Sequence, residues 1–127
     1  MVNAIKAAQQ AARKAIEATY FGTLMVTEMQ KVKDERSKLT KDVEVVVLEN
    51  QRCKLSFEKL QTAVQSDSAA TITQVTKLFV SPDVSIKAGS KITVTQDSVT
   101  TDYTCSGVPA VYPTHQEIMV ELFERWT

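Results

Sequence analysis

The 127-residue sequence is poor in the residues that most chemistry needs. It has one histidine, so no imidazole pair or His-rich metal set is available. Its two cysteines, Cys53 and Cys105, lie far apart in sequence and match no zinc spacing. Both fall in expected strands, where two free, buried thiols are the simplest state. The three glycines, Gly22, Gly89 and Gly107, are scattered, which excludes a glycine-rich phosphate loop. No serine sits in a nucleophile-elbow context. Fifteen basic residues balance fifteen acidic ones, so the basic excess of a general nucleic-acid binder is missing. No apolar run approaches the ~20 residues of a membrane helix. The alanine-rich start, diluted by Gln9, Gln10, Arg13 and Lys14, lacks the compact apolar centre of a signal peptide. These absences point to a chain with no metal, cofactor, small-molecule substrate or membrane among its partners, and to a protein that is not an enzyme.

What is present is β pattern. Residues 73–112 read as a strand, a proline turn at Ser81-Pro82-Asp83, a short strand, a glycine turn at Ala88-Gly89-Ser90, and two more strands. Ile92 and Val94 alternate with Lys91, Thr93 and Thr95, as in a half-buried strand. Gln96-Asp97-Ser98 is a polar tip between two β-rich runs. Upstream, residues 20–33 form the first expected strand, with Gly22 permitting a kink or bulge. The charged turn Lys33, Asp34, Glu35, Arg36, Ser37, Lys38 follows, its alternating signs suiting a solvated hairpin end. Residues 43–48 are strongly β-forming, Glu49-Asn50-Gln51 interrupts them, and residues 52–57 resume with Cys53, Leu55 and Phe57 on one side. Residues 58–71 are polar and read as a long loop, of the kind that is functional or mobile.

The two ends differ in kind. Residues 3–19 read as a helix on propensity, with Asn3 as its cap and Ile5, Ala8, Ala12, Ala15, Ile16 and Thr19 on one face. That face is thin. It suits packing on the chain's own barrel or docking on another subunit. The tail carries two patterns: Thr114 with Glu117 forms a helix capping box, whereas Ile118, Val120 and Leu122 alternate as a strand. The β-rich context favours a strand that closes the barrel. The fold expected is thus mainly β, a small antiparallel barrel over residues 20–127 behind an N-terminal helix over residues 1–19.

Candidates for chemistry are few. His115 has no positioned partner legible in sequence, so a structural or surface place is expected for it. Glu117 and Glu121 share a face, as carboxylates on solvated faces commonly do. Phe57 near Lys54 and Lys59, and Phe79 near Lys77, are aromatic–basic pairs of the type that stack bases, but their alternation assigns the rings to the core. A small OB- or SH3-like barrel that binds single-stranded nucleic acid or a peptide is the alternative function.

The run from Lys77 through Ser81-Pro82-Asp83 and Ala88-Gly89-Ser90 to Thr95, then residues 103–111, the tail Tyr112-Pro113-Thr114-His115-Gln116-Glu117-Ile118 and the segment 47–56, resembles the small head–tail connector proteins of tailed phages and prophages, called head-completion or stopper proteins. The resemblance covers roughly residue 20 to the end, and the alanine-rich helix departs from the simplest members. It implies a virion structural protein of the neck, assembled in the bacterial host cytoplasm. Its partners would be further copies in a ring, the portal or adaptor ring, the tail-terminator or tail proteins, and packaged DNA by proximity. On that basis Gln65, Ser66, Asp67 and Ser68 become candidates for a channel loop. Lys33, Asp34, Glu35, Arg36 and Lys38 become candidates for contacts between rings.

Overall fold

The computed structural model describes residues 2–62 and 71–126. Helix α1 (Val2–Glu17) leads into seven strands: β1 (Gly22–Lys33), β2 (Thr40–Thr62), β3 (Thr71–Val80), β4 (Lys91–Gln96), β5 (Val99–Cys105), β6 (Ala110–Val111) and β7 (Gln116–Leu122). All pair antiparallel in the order β3-β2-β1-β4-β5-β7-β6, and a further β3–β7 pairing closes the sheet on itself. Closure leaves six strands in a continuous barrel, with β6 appended to β7. It removes the open edges that a flat sheet would present.

The barrel interior follows the period-two pattern. Leu24, Val26, Cys53, Leu55, Leu78, Val80, Ile92, Val94, Tyr103, Ile118 and Val120 form one buried cluster. Ile92 and Val94 point inward while Lys91, Thr93 and Thr95 do not, as their alternation requires. The tail is a strand: Ile118 and Val120 complete the core, and Thr114 caps no helix, its hydroxyl lying 2.9 Å from His115 Nδ1. Both cysteines are free, Cys53 buried and Cys105 half-buried. Burial in this apolar wall pushes the Cys53 thiol up to about 12 and raises that of Cys105.

Five local expectations need correction. The interruption at Glu49-Asn50-Gln51 is a bulge inside one 23-residue strand, not a break. Register passes from Leu24↔Gln51 to Val26↔Leu48 and then Thr27↔Val46, and Asn50 takes φ 53° to absorb the extra residues. Residues 58–62, assigned to a loop on their polar composition, continue β2 and pair with residues 71–75 of β3. Residues 84–87 form no strand. Gln116, 3 % exposed, holds them instead by donating from Nε2 to the carbonyls of Ser81 (3.2 Å) and Val84 (2.8 Å). Asn3 lies inside α1, which starts at Val2. Phe57 is 52 % exposed and Phe79 half-buried, so neither ring is a core residue.

Two polar devices complete the barrel wall. β1 begins at Gly22, opposite Cys53, so the next inward residue of β2, Leu55, has no β1 partner on that side. Gln96 supplies one: its Oε1 accepts from Leu55 N–H at 2.8 Å and its Nε2 donates to Leu55 C=O at 3.2 Å. One carboxamide thus stands in for a missing strand residue. Gly22 makes room for it, since a Cβ there would lie 3.1 Å from Gln96 Oε1, 3.2 Å from the Cys53 carbonyl oxygen and 3.3 Å from that of Thr95. The adjacent β4–β5 turn puts Asp97 and Ser98 at φ 52° and 65°. Two consecutive positive φ values give the hairpin turn whose twist matches its strands.

Candidate interaction surfaces

Besides the β2–β3 ribbon of residues 58–62 and 71–75, whose strands pair there only with each other among the described residues, two parts of the described chain leave the barrel. The first is the β1–β2 hairpin. β4 pairs with β1 only over Thr23–Thr27, and β3 pairs with β2 only from Cys53 onward. Beyond Thr27, β1 and β2 therefore have only each other among the described residues. Residues 28–33 and 40–45 make a two-stranded arm roughly 20 Å long at ~3.3 Å per residue. At its tip Asp34 N–H donates to Leu39 C=O (2.9 Å), Lys38 N–H to Asp34 C=O (2.7 Å), and Arg36 N–H to Asp34 Oδ1 (3.0 Å). Lys38 adopts φ 58° to close the turn. Lys33, Glu35, Arg36 and Lys38 are exposed and Asp34 is half-buried in its own turn. The structure thus brings this sequence-predicted set together at one point.

Cross-strand pairs define the arm's faces. Glu28, Gln30, Val32, Lys41, Val43 and Val45 share one face, and Met29, Lys31, Asp42 and Glu44 share the other. The first carries an apolar stripe, with Val32 45 % and Val43 40 % exposed. Sequence reasoning registered residues 43–48 as β-forming but not as exposed, because alternation cannot tell a barrel wall from a free ribbon. The signal available was length: 23 residues is far beyond a usual strand.

The arm is fixed at its base by the C-terminal segment. Trp126 Nε1 donates to Glu44 Oε1 at 2.7 Å, and Lys91 Nζ lies 3.4 Å from the same oxygen. The ammonium also sits 5.6 Å from the ring centres of both Phe123 and Trp126, which pack edge to face. The Trp126 hydrogen bond, and then the charge of Lys91, hold the Glu44 carboxyl below its ordinary range.

The second projecting part is α1. Residues 3–12 are exposed throughout, Ile5 included at 59 %. The helix is moored near its C-terminal end, where Arg13 Nη2 donates to Ser81 Oγ (2.6 Å) and Asp83 Oδ2 (2.7 Å) while its Nε reaches Glu17 (3.3 Å). The Asp83 hydrogen bond is the main influence raising the Arg13 pKa. Tyr20, just after the helix, is 2 % exposed and its hydroxyl has no hydrogen-bond partner among the described residues. That burial, followed by the charge of Glu17, raises its pKa.

The residues singled out for chemistry sit elsewhere. His115 does have partners: Nδ1 lies 2.9 Å from Thr114 Oγ1 and Nε2 3.0 Å from Glu117 Oε2. A hydroxyl, an imidazole and a carboxylate in line have the connectivity of a nucleophile, base and orienting group. Here all three come from one short stretch, Tyr112 stacks on the ring at 4.8 Å, and Glu117 is shared with Lys77 at 3.9 Å. The imidazole is thereby held as part of the β6–β7 turn. Among the described residues, no group of three His, Cys, Asp or Glu side chains is placed to hold a metal ion, and no helix is long and apolar enough to cross a membrane. Gln65, Ser66, Asp67 and Ser68 lie outside the described residues.

No protein-family model and no curated protein matches the sequence. Among solved structures, the xkdH protein of the phage-like element PBSX from Bacillus subtilis is similar over 79 % of this chain and 91 % of its own, at 11 % identity and a TM-score of 0.46. A likeness of that extent carries no argument about role.

Proposed function

We propose that this chain is a structural subunit of the neck of a tailed phage, a head–tail connector of the stopper type that forms a ring below the portal, retains packaged DNA and docks the tail. The observation that supports this most is the division between a closed barrel and projections, the β1–β2 arm and α1 among them, that have no partner among the described residues. The barrel satisfies its own core and edges. The arm and α1 do not: one exposes a valine stripe and unpaired strand edges, the other a helix that is marginal alone at its 16 residues. Such a subunit is stable by itself and completed by neighbours. The resemblance of the 77–118 region to connector proteins supplies the context, and zero formal net charge lets like subunits approach without strong repulsion. In this reading the chain performs no catalysis and needs no cofactor. The tip residues Lys33, Asp34, Glu35, Arg36 and Lys38 meet an adjacent ring, and Gln65, Ser66, Asp67 and Ser68 face the channel.

The test is peptide mass spectrometry on purified particles, comparing whole particles with separated tails. The protein is expected with DNA-filled heads or necks at low, ring-like copy number. Recovery with tails alone moves it to the tail side. Absence from particles overturns the proposal and makes salt-sensitive oligonucleotide binding the next measurement. Deleting residues 66–70 is expected to leave folded subunits but particles that lose DNA, and retained genomes would refute the channel assignment.

A further inference from the structure

The arm has two free edges, and they are complementary. The outer edge of β1 over residues 28–33 has no strand beside it among the described residues, because β4 stops pairing at Lys91 opposite Thr27. A cleft of about 450 Å³ opens there, lined by residues 28–31, the turn at 87–90 and Trp126. Ser90 on its wall is 2 % exposed, and its hydroxyl has no hydrogen-bond partner among the described residues. The outer edge of β2 over residues 40–46 is equally unpaired among the described residues. Neighbouring arms that point the same way set β1 of one antiparallel to β2 of the next.

We infer that the occupant of the β1 edge is the β2 edge of a second copy, in the register that sets Val32 opposite Val43 of the next copy. This deepens the ring reading by naming the contact that builds it. Four facts about the sequence select that register. It places Lys31 opposite Glu44, Lys33 opposite Asp42 and Asp34 opposite Lys41. It also places Met29 opposite Val46. The unstaggered alternative, which repeats the in-chain pairing, offers one opposite-charge pair and sets Val32 against Lys41. Sliding two residues the other way from the chosen register keeps a valine pair, Val32 with Val45, but leaves one opposite-charge pair, Lys33 with Glu44, and at the tip sets Glu35 against Asp42 and Arg36 against Lys41, two like-charge clashes. The joint is heterologous, the type of contact that builds a ring when the rotation between copies closes. The Val32, Val43 and Val45 stripes of successive copies then merge into one apolar band.

Two variants test this, Val32→Cys and Val43→Cys, each made with Cys105→Ser so that the buried Cys53 is the one native thiol left, prepared separately, mixed at high concentration and oxidised. Because each chain carries only half of the engineered pair, a disulfide between the two positions can arise only between copies. Cross-linked dimer is expected at ~10-fold or more over either variant alone, since a disulfide needs Cα atoms within about 7 Å. Val32→Cys mixed with Lys41→Cys reports the unstaggered register and is expected to cross-link less. As a second measurement free of thiols, Lys33→Glu and Asp42→Lys are each expected to weaken self-association, and their combination in one chain to restore it. Absence of the mixed dimer both in solution and in assembled particles overturns the edge pairing. Particle-bound protein without the cross-link leaves the neck assignment standing and removes this joint. A cross-linking protein that is missing from particles does the reverse.

Discussion

The Gln96 carboxamide is the feature whose removal has the most calculable effect. It holds Leu55 N–H at 2.8 Å and Leu55 C=O at 3.2 Å, in a wall where Leu55 is 6 % exposed. Gln96→Ala leaves one backbone donor and one acceptor without partners. Each such group costs about 1–3 kcal/mol when water cannot replace the bond. Gln96 is itself only half-buried, so water recovers part of this, and a net loss of about 2–3 kcal/mol is expected. That is a large share of the roughly 5–15 kcal/mol of a typical domain. The assay is urea unfolding followed by circular dichroism, with the midpoint falling and the slope unchanged. In a thermal scan the midpoint is expected to drop by roughly 10 °C. Gln96→Glu refines the test. An ionised carboxylate still accepts from Leu55 N–H but opposes the Leu55 carbonyl, whereas the neutral acid can donate to it. The folded state therefore raises the pKa of the introduced carboxyl above its unfolded value. The variant is expected to be closer to the parent below the unfolded pKa of about 4.3, and to lose stability as pH rises through the folded value. A Gln96→Ala loss below about 0.5 kcal/mol would show that the wall closes without this side chain.

Three further outcomes follow from the same structure. Gly22→Ala is expected to destabilise by about 1–3 kcal/mol, because two of the three oxygens its Cβ meets are backbone and cannot yield; combined with Gln96→Ala the losses should be less than additive in the same urea experiment, since the variants share a contact. Arg13→Ala is expected to abolish amide-exchange protection in α1 while changing barrel stability by less than about 1 kcal/mol, because the lost contacts are largely surface ion pairs; protection that persists in α1 would mean that the helix holds without its mooring. The Cys53 thiol, with its pKa at about 12, should resist alkylation at pH 8 until the barrel unfolds; burial of the neutral thiol stabilises below its unfolded pKa, and this contribution should fade as pH climbs from about 8.5 toward 12. Rapid labelling of Cys53 in the native protein would contradict its position in the core.

The barrel was legible where alternation and burial coincide. Ile92 and Val94, Cys53 and Leu55, Ile118 and Val120 all read inward from the sequence and are inward. It was illegible where one segment serves two roles. β2 is barrel wall around Leu48 to Leu55 and free ribbon over residues 40–45, yet both parts carry apolar residues at alternate positions. Polar composition misassigned residues 58–62 because a strand paired on a barrel's exterior tolerates Lys59 and Glu58 as readily as a loop does. Phe57 illustrates the limit of periodicity: it follows Cys53 and Leu55 in phase, but lies past the point where the interior ends. The hairpin tip was found because charge alternation and Ser37 mark a turn locally. The edge complementarity of the arm was not, since it depends on knowing which strands lack partners. Trp126 and Glu44 are 82 residues apart, and no local pattern announces that they touch.

The order of strands around the barrel also governs how the chain can be made. β7 is the piece that lies between β3 and β5, so both of those strands keep an open side until residues 116–122 have been synthesised and docked. A nascent chain emerging from the ribosome can form the β1–β2 hairpin, add β3 and β4, and pair β5, yet its sheet stays unsealed and its Ile118 and Val120 positions stay empty. Translation must run nearly to the end of these 127 residues before the fold can lock, and every arrest upstream of β7 leaves a partial sheet with sticky rims.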